Sequence, residues 1–167
     1  MAAVFEMYLV STEYIDFCEF DKVWDMLGKS TFRYIEVFND FTFDHERKLD
    51  LRDNSRQSII SILKEEKIIQ YGGNIGNNKI GIQQYMEEDG RYISNLWFNT
   101  EGFQVFDSDI PNDSIKRLYF SLEELSKPLN IVFFAIGCEM VVNYAHDCSR
   151  IKDQSHNICL WWTNDCE

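Results

Sequence analysis

The residues best suited to covalent chemistry lie late in the chain. His146-Asp147-Cys148, with Cys138, Glu139 and His156 nearby, supplies a thiol, imidazoles and carboxylates. A cysteine nucleophile needs an imidazole within hydrogen-bond reach to take its proton. Neighbours one or two positions apart on a strand or turn point apart, so this cluster is the weaker reading: a small cytosolic enzyme using the Cys148/His146 region. Cys138 ends an apolar run and suits a small core residue.

Other chemical signatures fail on spacing. Asp107, Asp109 and Asp113 resemble the start of a calcium loop, but Asn112 stands where its glycine belongs and Leu118 where its closing glutamate belongs. Gly72-Gly73-Asn74-Ile75-Gly76 is glycine-rich, yet the residues after it alternate like a strand instead of opening a helix, so no phosphate cradle is expected. The P-loop, H-E-x-x-H and G-x-S-x-G patterns are all missing. The cysteines at 138, 148, 159 and 166 are too widely spaced for paired zinc ligands. The expectation is a non-catalytic protein with no cofactor and no metal.

The elements that must position any site are those of an α+β protein, expected to be a single domain over 1–167 with about three helices on a largely antiparallel sheet. Val4 to Val10 is an expected strand. In Asp16 to Leu27 the apolar residues Phe17, Phe20, Val23, Trp24 and Leu27 share one helical face, and Gly28 ends it. Thr31 to Phe38 is β-branched and aromatic, hence a strand. Asp40 to Asp53 is expected to be a polar loop or short helix, and Asn54 or Ser55 to cap a second helix. Lys67 to Tyr71 leads into a turn-rich connection over Gly72 to Asn78. Lys79 to Met86 and Arg91 to Asn99 flank Asp89-Gly90, a β-hairpin signal. Phe103 to Phe106 could extend that meander. A third helix opens after Pro111 and stops at Pro128. Strands are expected at Ile131 to Cys138, Met140 to Tyr144 and Ile158 to Trp162.

Charge carries the remaining information. The chain of 167 residues has 28 acids against 16 bases, a net charge of −12 and a pI of about 4.6. That disfavours direct nucleic-acid binding, which needs a basic face, and adsorption to an anionic membrane surface. Residues 54–100 are neutral, and the surplus divides between the two ends of the chain. If those ends meet in space, one face is strongly negative and can steer a basic partner to association rates of about 10⁸–10⁹ M⁻¹s⁻¹. Three clusters could make the contact: Asp107, Asp109 and Asp113; Glu87, Glu88 and Asp89; and Asp40, Asp44 and Glu46. Trp97, with Tyr92 and Phe103, could anchor it, although alternating strand aromatics are ordinarily core. The bland account of each cluster is a solvated loop or, for Asp109 and Asp113, a favourable contact with a helix N-terminus. The first residues carry no basic stretch, and no apolar run is long enough to span a bilayer. Five cysteines in such a chain are expected to be free thiols in the cytoplasm.

In size, charge and architecture, with the segments Phe134-Ala135-Ile136-Gly137-Cys138-Glu139-Met140 and Asn95-Leu96-Trp97-Phe98-Asn99 as strand segments, the chain resembles immunity proteins of bacterial toxin–immunity systems, including those of contact-dependent growth inhibition. The resemblance implies an antitoxin that binds a cognate toxin domain, here a nuclease with a basic active-site cleft, and blocks it. Phage-encoded inhibitors of bacterial defence nucleases share the same profile.

Overall fold

β1 (Val4–Ser11) runs through the middle of an eight-stranded sheet, between β6 (Tyr92–Asn99) and β7 (Ile131–Cys138). The other strands are β2 (Ser30–Asn39), β3 (Asp44–Leu49), β4 (Lys67–Ile75), β5 (Asn78–Met86) and β8 (Ile158–Thr163), in the order β3-β2-β4-β5-β6-β1-β7-β8. Every pairing among them is antiparallel. Among the described residues three α-helices complete the fold: α1 (Asp21–Asp25), α2 (Arg56–Leu63) and α3 (Asp113–Ser126). This computed structural model describes residues 4–39, 42, 44–52, 54–99, 113–138 and 158–164.

All three helices pack on one face. Val23 and Trp24 of α1, Ile59, Ile62 and Leu63 of α2, and Ile115, Leu118, Leu122 and Leu125 of α3 enter one core. Strand alternation supplies the opposing layer, including Phe5, Met7 and Leu9 of β1, Ile80 and Ile82 of β5, and Leu96 and Phe98 of β6. Side chains of the intervening residues therefore project from the other face, which carries no helix among the described residues. On that face Tyr8, Val10, Ile93, Phe133 and Ala135 form a smaller cluster around β1 and β7.

The α+β class and the antiparallel sheet agree with the sequence reading. Three local expectations need correction. The predicted helix over 16–27 is a 3-10 turn (Phe17–Phe20) followed by the single turn of α1. Arg56 holds the chain leading into it from the surface: it donates to the Tyr14 carbonyl, sits 5.1 Å from the Tyr14 ring centre and 3.6 Å from Glu19. The predicted loop over 40–53 contains an edge strand, β3, whose Asp44-His45-Glu46-Arg47-Lys48 has no apolar alternation because it has little to bury. The predicted glycine turn over 72–78 is mostly strand. Gly72 and Gly73 lie inside β4, and only Gly76 and Asn77 turn, with Gly76 at φ +57°. An added Cβ on Gly73 would fall 2.3 Å from the Thr31 carbonyl, so glycine there permits close approach of β2. The expected strand segments at 103–106 and 140–144 lie outside the described residues.

The hairpin of β5 and β6 turns at Glu87–Gly90 with Gly90 at φ +86°, where the Asp-Gly pair placed it. Ser55 caps α2, its Oγ accepting from the Ser58 N–H at 3.2 Å.

Candidate interaction surface

The antiparallel ladder fixes where the acidic clusters fall. β1, β2 and β5 run the same way, so the β5–β6 tip and the start of β3 share one end of the sheet. Glu87, Glu88 and Asp89 are exposed there. Asp44 is exposed and Glu46 half-buried, three strand spacings or about 14 Å away. Asp113 begins α3, whose far end delivers the chain to β7 at that same end of the sheet. The 14 residues of α3 span about 21 Å. Asp40, Asp107 and Asp109 lie outside the described residues, as do His146, Cys148 and His156.

Several of these carboxylates are engaged at home. Glu46 accepts from Lys67, with Nζ–Oε2 at 2.8 Å, and from Arg47. The Lys67 hydrogen bond holds the Glu46 carboxyl below its ordinary range, and Glu46 and Glu65 hold the Lys67 ammonium above its own. Asp89 pairs with Arg91, whose Nε lies 2.7 Å from Oδ2. The described residues hold 18 acids and 14 bases, so most of the surplus negative charge belongs to residues outside them. Among the described residues β1 lies beside β7, which brings segments from the two ends of the sequence into one sheet.

The more informative surface is the helix-free face of the sheet over β2, β4, β5 and β6, which the sequence did not single out apart from Trp97; its β1–β7 part, with Val10, Phe133 and Ala135, is buried. One cross-strand row there reads Tyr34, Gly72, Gly81, Trp97, Glu6, Gly137. The rings of Tyr34 and Trp97 lie over the two glycines. An added Cβ on Gly72 would meet the Tyr34 ring at 2.1 Å, and one on Gly81 would meet the Trp97 ring at 2.5 Å. Tyr34 is 38% exposed and Trp97 half-buried.

The next row is polar. It runs Lys48, Glu36, Gln70, Gln83, Asn95. Gln83 Nε2 donates to Gln70 Oε1 at 2.8 Å, and Asn95 Nδ2 donates to Glu6 Oε1 at 3.1 Å. Lys48 Nζ stands 5.7 Å from the Tyr34 ring centre and 3.5 Å from Glu36. His45 reaches the same carboxylate at 3.8 Å. The signal that could have found this face is a Gly-Gly pair inside an otherwise apolar run, since a glycine in a strand marks a close approach.

A cavity of about 390 Å³ opens beside the C-terminal end of α3, lined in part by Thr12, Glu123, Lys127, Asn130, Trp162 and Asn164. Among the described residues its lining has no thiol and no imidazole. Among those same residues no three of His, Cys, Asp and Glu are grouped to hold a metal, and no helix is long and apolar enough to cross a membrane. Cys138 ends β7 opposite Phe5 and packs half-buried against the main core. Neither a family model, nor a curated protein, nor a solved structure matches this chain.

Proposed function

We propose that this chain is a non-catalytic protein-binding inhibitor, an immunity protein that neutralises a cognate bacterial toxin with a basic active-site cleft, and that it meets its partner with the sheet face around Tyr34 and Trp97. The observation that carries this reading is the pair of rings, Tyr34 and Trp97, laid over Gly72 and Gly81 and bordered by Glu6, Glu36, Gln70, Gln83 and Asn95. Aromatic anchors within a polar rim are the anatomy of a protein interface. Acidic side chains on the rim, and the net charge of −12, favour a cationic partner and speed its approach.

The test is protection. The chain is co-expressed with the toxin domain encoded in the neighbouring reading frame, and growth is scored. Wild type restores growth, and the Tyr34→Ala/Trp97→Ala double variant, once shown to be folded by circular dichroism, loses that protection. The association rate falls as salt rises, because exposed charges are screened beyond about 8 Å at 0.15 M. Charge reversal at Asp107 and Asp109 slows association more than it changes stability. Toxin inhibition with a salt-independent association rate overturns the electrostatic part of the reading, and protection that survives loss of both rings overturns the choice of face.

A further inference from the structure

The cavity beside the C-terminal end of α3 lies on the helix side of the sheet, away from the Tyr34 and Trp97 rings. Its volume of about 390 Å³ falls at the lower end of the range for small-molecule sites, about 300–1,000 Å³. Trp162, on the outermost strand β8, forms part of its apolar wall. The indole is held by its cross-strand partner Phe134, stacked at 5.6 Å between ring centres with the planes 18° apart. Two opposite charges border the same space. Glu123 and Lys127 are exposed and stand one helical turn apart with the glutamate first, an arrangement that ordinarily pairs. Here they do not pair, and among the described residues neither side chain has an ion-pair partner. Asn130 and Asn164 also line the cavity, and an asparagine amide both donates and accepts.

We propose that this cavity binds a free α-amino acid with an aromatic side chain. The ligand's ammonium pairs with Glu123, its carboxylate pairs with Lys127, and its ring packs against Trp162. Both ligand charges stand on one carbon, so a zwitterion fits between the two side chains and completes both halves of the pair that they leave unmade. The carbonyl end of α3 adds to the preference for an ammonium beside Glu123. Other ligand classes use only part of the site. A phosphate or a simple carboxylate would meet Lys127 but be repelled by Glu123 and the helix end. A lone organic cation would be opposed by Lys127, and a neutral sugar would use neither charge. A divalent cation would find a single carboxylate among the described lining residues. The proposal goes beyond the inhibitor reading and does not rest on it, because the cavity and the Tyr34 and Trp97 rings lie on opposite faces of the sheet.

The experiment is isothermal titration calorimetry of the full chain with L-phenylalanine, with amide and indole NMR to locate the binding. L-phenylalanine binds saturably and shifts the Trp162 indole N–H and the amides at the C-terminal end of α3. Three analogues each lack one part: phenethylamine the carboxylate, phenylpropionate the ammonium, and L-alanine the ring. Each binds about tenfold more weakly or worse. Glu123 and Lys127 are exposed, so Glu123→Gln and Lys127→Gln retain the fold. Each variant weakens L-phenylalanine about tenfold, and the analogues tell the two apart. Glu123→Gln improves the binding of phenylpropionate, which it no longer repels, and Lys127→Gln improves that of phenethylamine for the mirror reason. No binding of L-phenylalanine at millimolar concentration, shifts centred away from Trp162, equal binding by either single-charge analogue, or an unchanged affinity in both variants overturns the site.

Discussion

Tyr34 and Trp97, sixty-three positions apart in sequence, approach the same cross-strand glycine pair from opposite sides, one ring over Gly72 and the other over Gly81. Neither glycine has a positive φ. Their missing side chains make room for the rings, which replace the packing that a Cβ would have given. Each ring therefore lies along the sheet instead of standing from it. The face is shallow and lined with aromatic carbon at its centre.

Gly81→Ala is expected to displace the indole, since the new Cβ would lie 2.5 Å from it. Overpacking of this kind costs about 1–3 kcal/mol. In a Trp97→Ala background the same change should be close to neutral. A double-mutant cycle by urea denaturation should give a coupling of about 1 kcal/mol or more. Simple additivity would show that ring and glycine do not interact.

Gln84 is 2% exposed within the main core layer, and its Nε2 donates to the Ile15 carbonyl at 2.7 Å and to Ser94 Oγ at 3.0 Å. This ties the segment before α1 to the sheet. Gln84→Leu strands that carbonyl without its side-chain donor, and a stability loss of about 1–3 kcal/mol is expected. Chemical denaturation measures it, and hydrogen exchange should show the 14–20 segment opening first.

The Cys18 thiol is pushed up to about 11 by partial burial and by the nearby carboxylates of Asp16, Glu19 and Asp21. At pH 8 this leaves roughly one-hundredth of the thiolate of a cysteine at 9. Alkylation of Cys18 by iodoacetamide, followed by peptide mass spectrometry, should be correspondingly slow and should quicken as pH rises toward 11. Asp16→Asn removes one of the charges while keeping an Oδ1 acceptor for the Cys18 thiol, and should speed the reaction at fixed pH.

The Glu46–Lys67 pair predicts opposite behaviour at the two pH extremes. The Glu46 carboxyl is lowered in the folded state, so its contribution is complete above the unfolded value near 4.3 and is lost as pH falls through the lower folded one. The Lys67 ammonium is raised, so its contribution is complete below the unfolded value near 10.4 and is lost as pH climbs through the higher folded one. Melting temperature against pH should be flatter at both limbs in Glu46→Gln. An unchanged profile would mean that the pair is silent in solution.

Periodicity and turn chemistry governed how much was legible in the sequence. The alternation on either side of Asp89-Gly90 gave the hairpin, and the Ile115, Leu118, Leu122 and Leu125 stripe gave α3, because burial on one face is written directly into residue order. β3 was not legible, since an edge strand of charged residues carries no burial pattern. The Gly72-Gly73 step was misleading for a related reason. Glycine signals a turn when only its backbone freedom is considered, whereas here the Tyr34 ring and the Thr31 carbonyl occupy the space beside it. Of the anticipated contact residues, Trp97 lies half-buried on the face that bears no helix among the described residues, while Glu46 and Asp89 are engaged by Lys67 and Arg91. The companions of Trp97 on that face, Glu6, Glu36, Gln70, Gln83 and Asn95, are scattered over five strands, and only the strand order brings them together.

The composition of β3 bears on how this protein behaves when concentrated. Five of its six residues are ionic or imidazole-bearing, and both signs of charge stand along the outermost ladder. A β-segment from another copy attempting to extend the sheet at that border would have to strip water from Asp44, Arg47 and Lys48 together. Fibril-like growth from this side is accordingly discouraged, and the molecule can carry a broad sheet without inviting its own kind to stack onto it there.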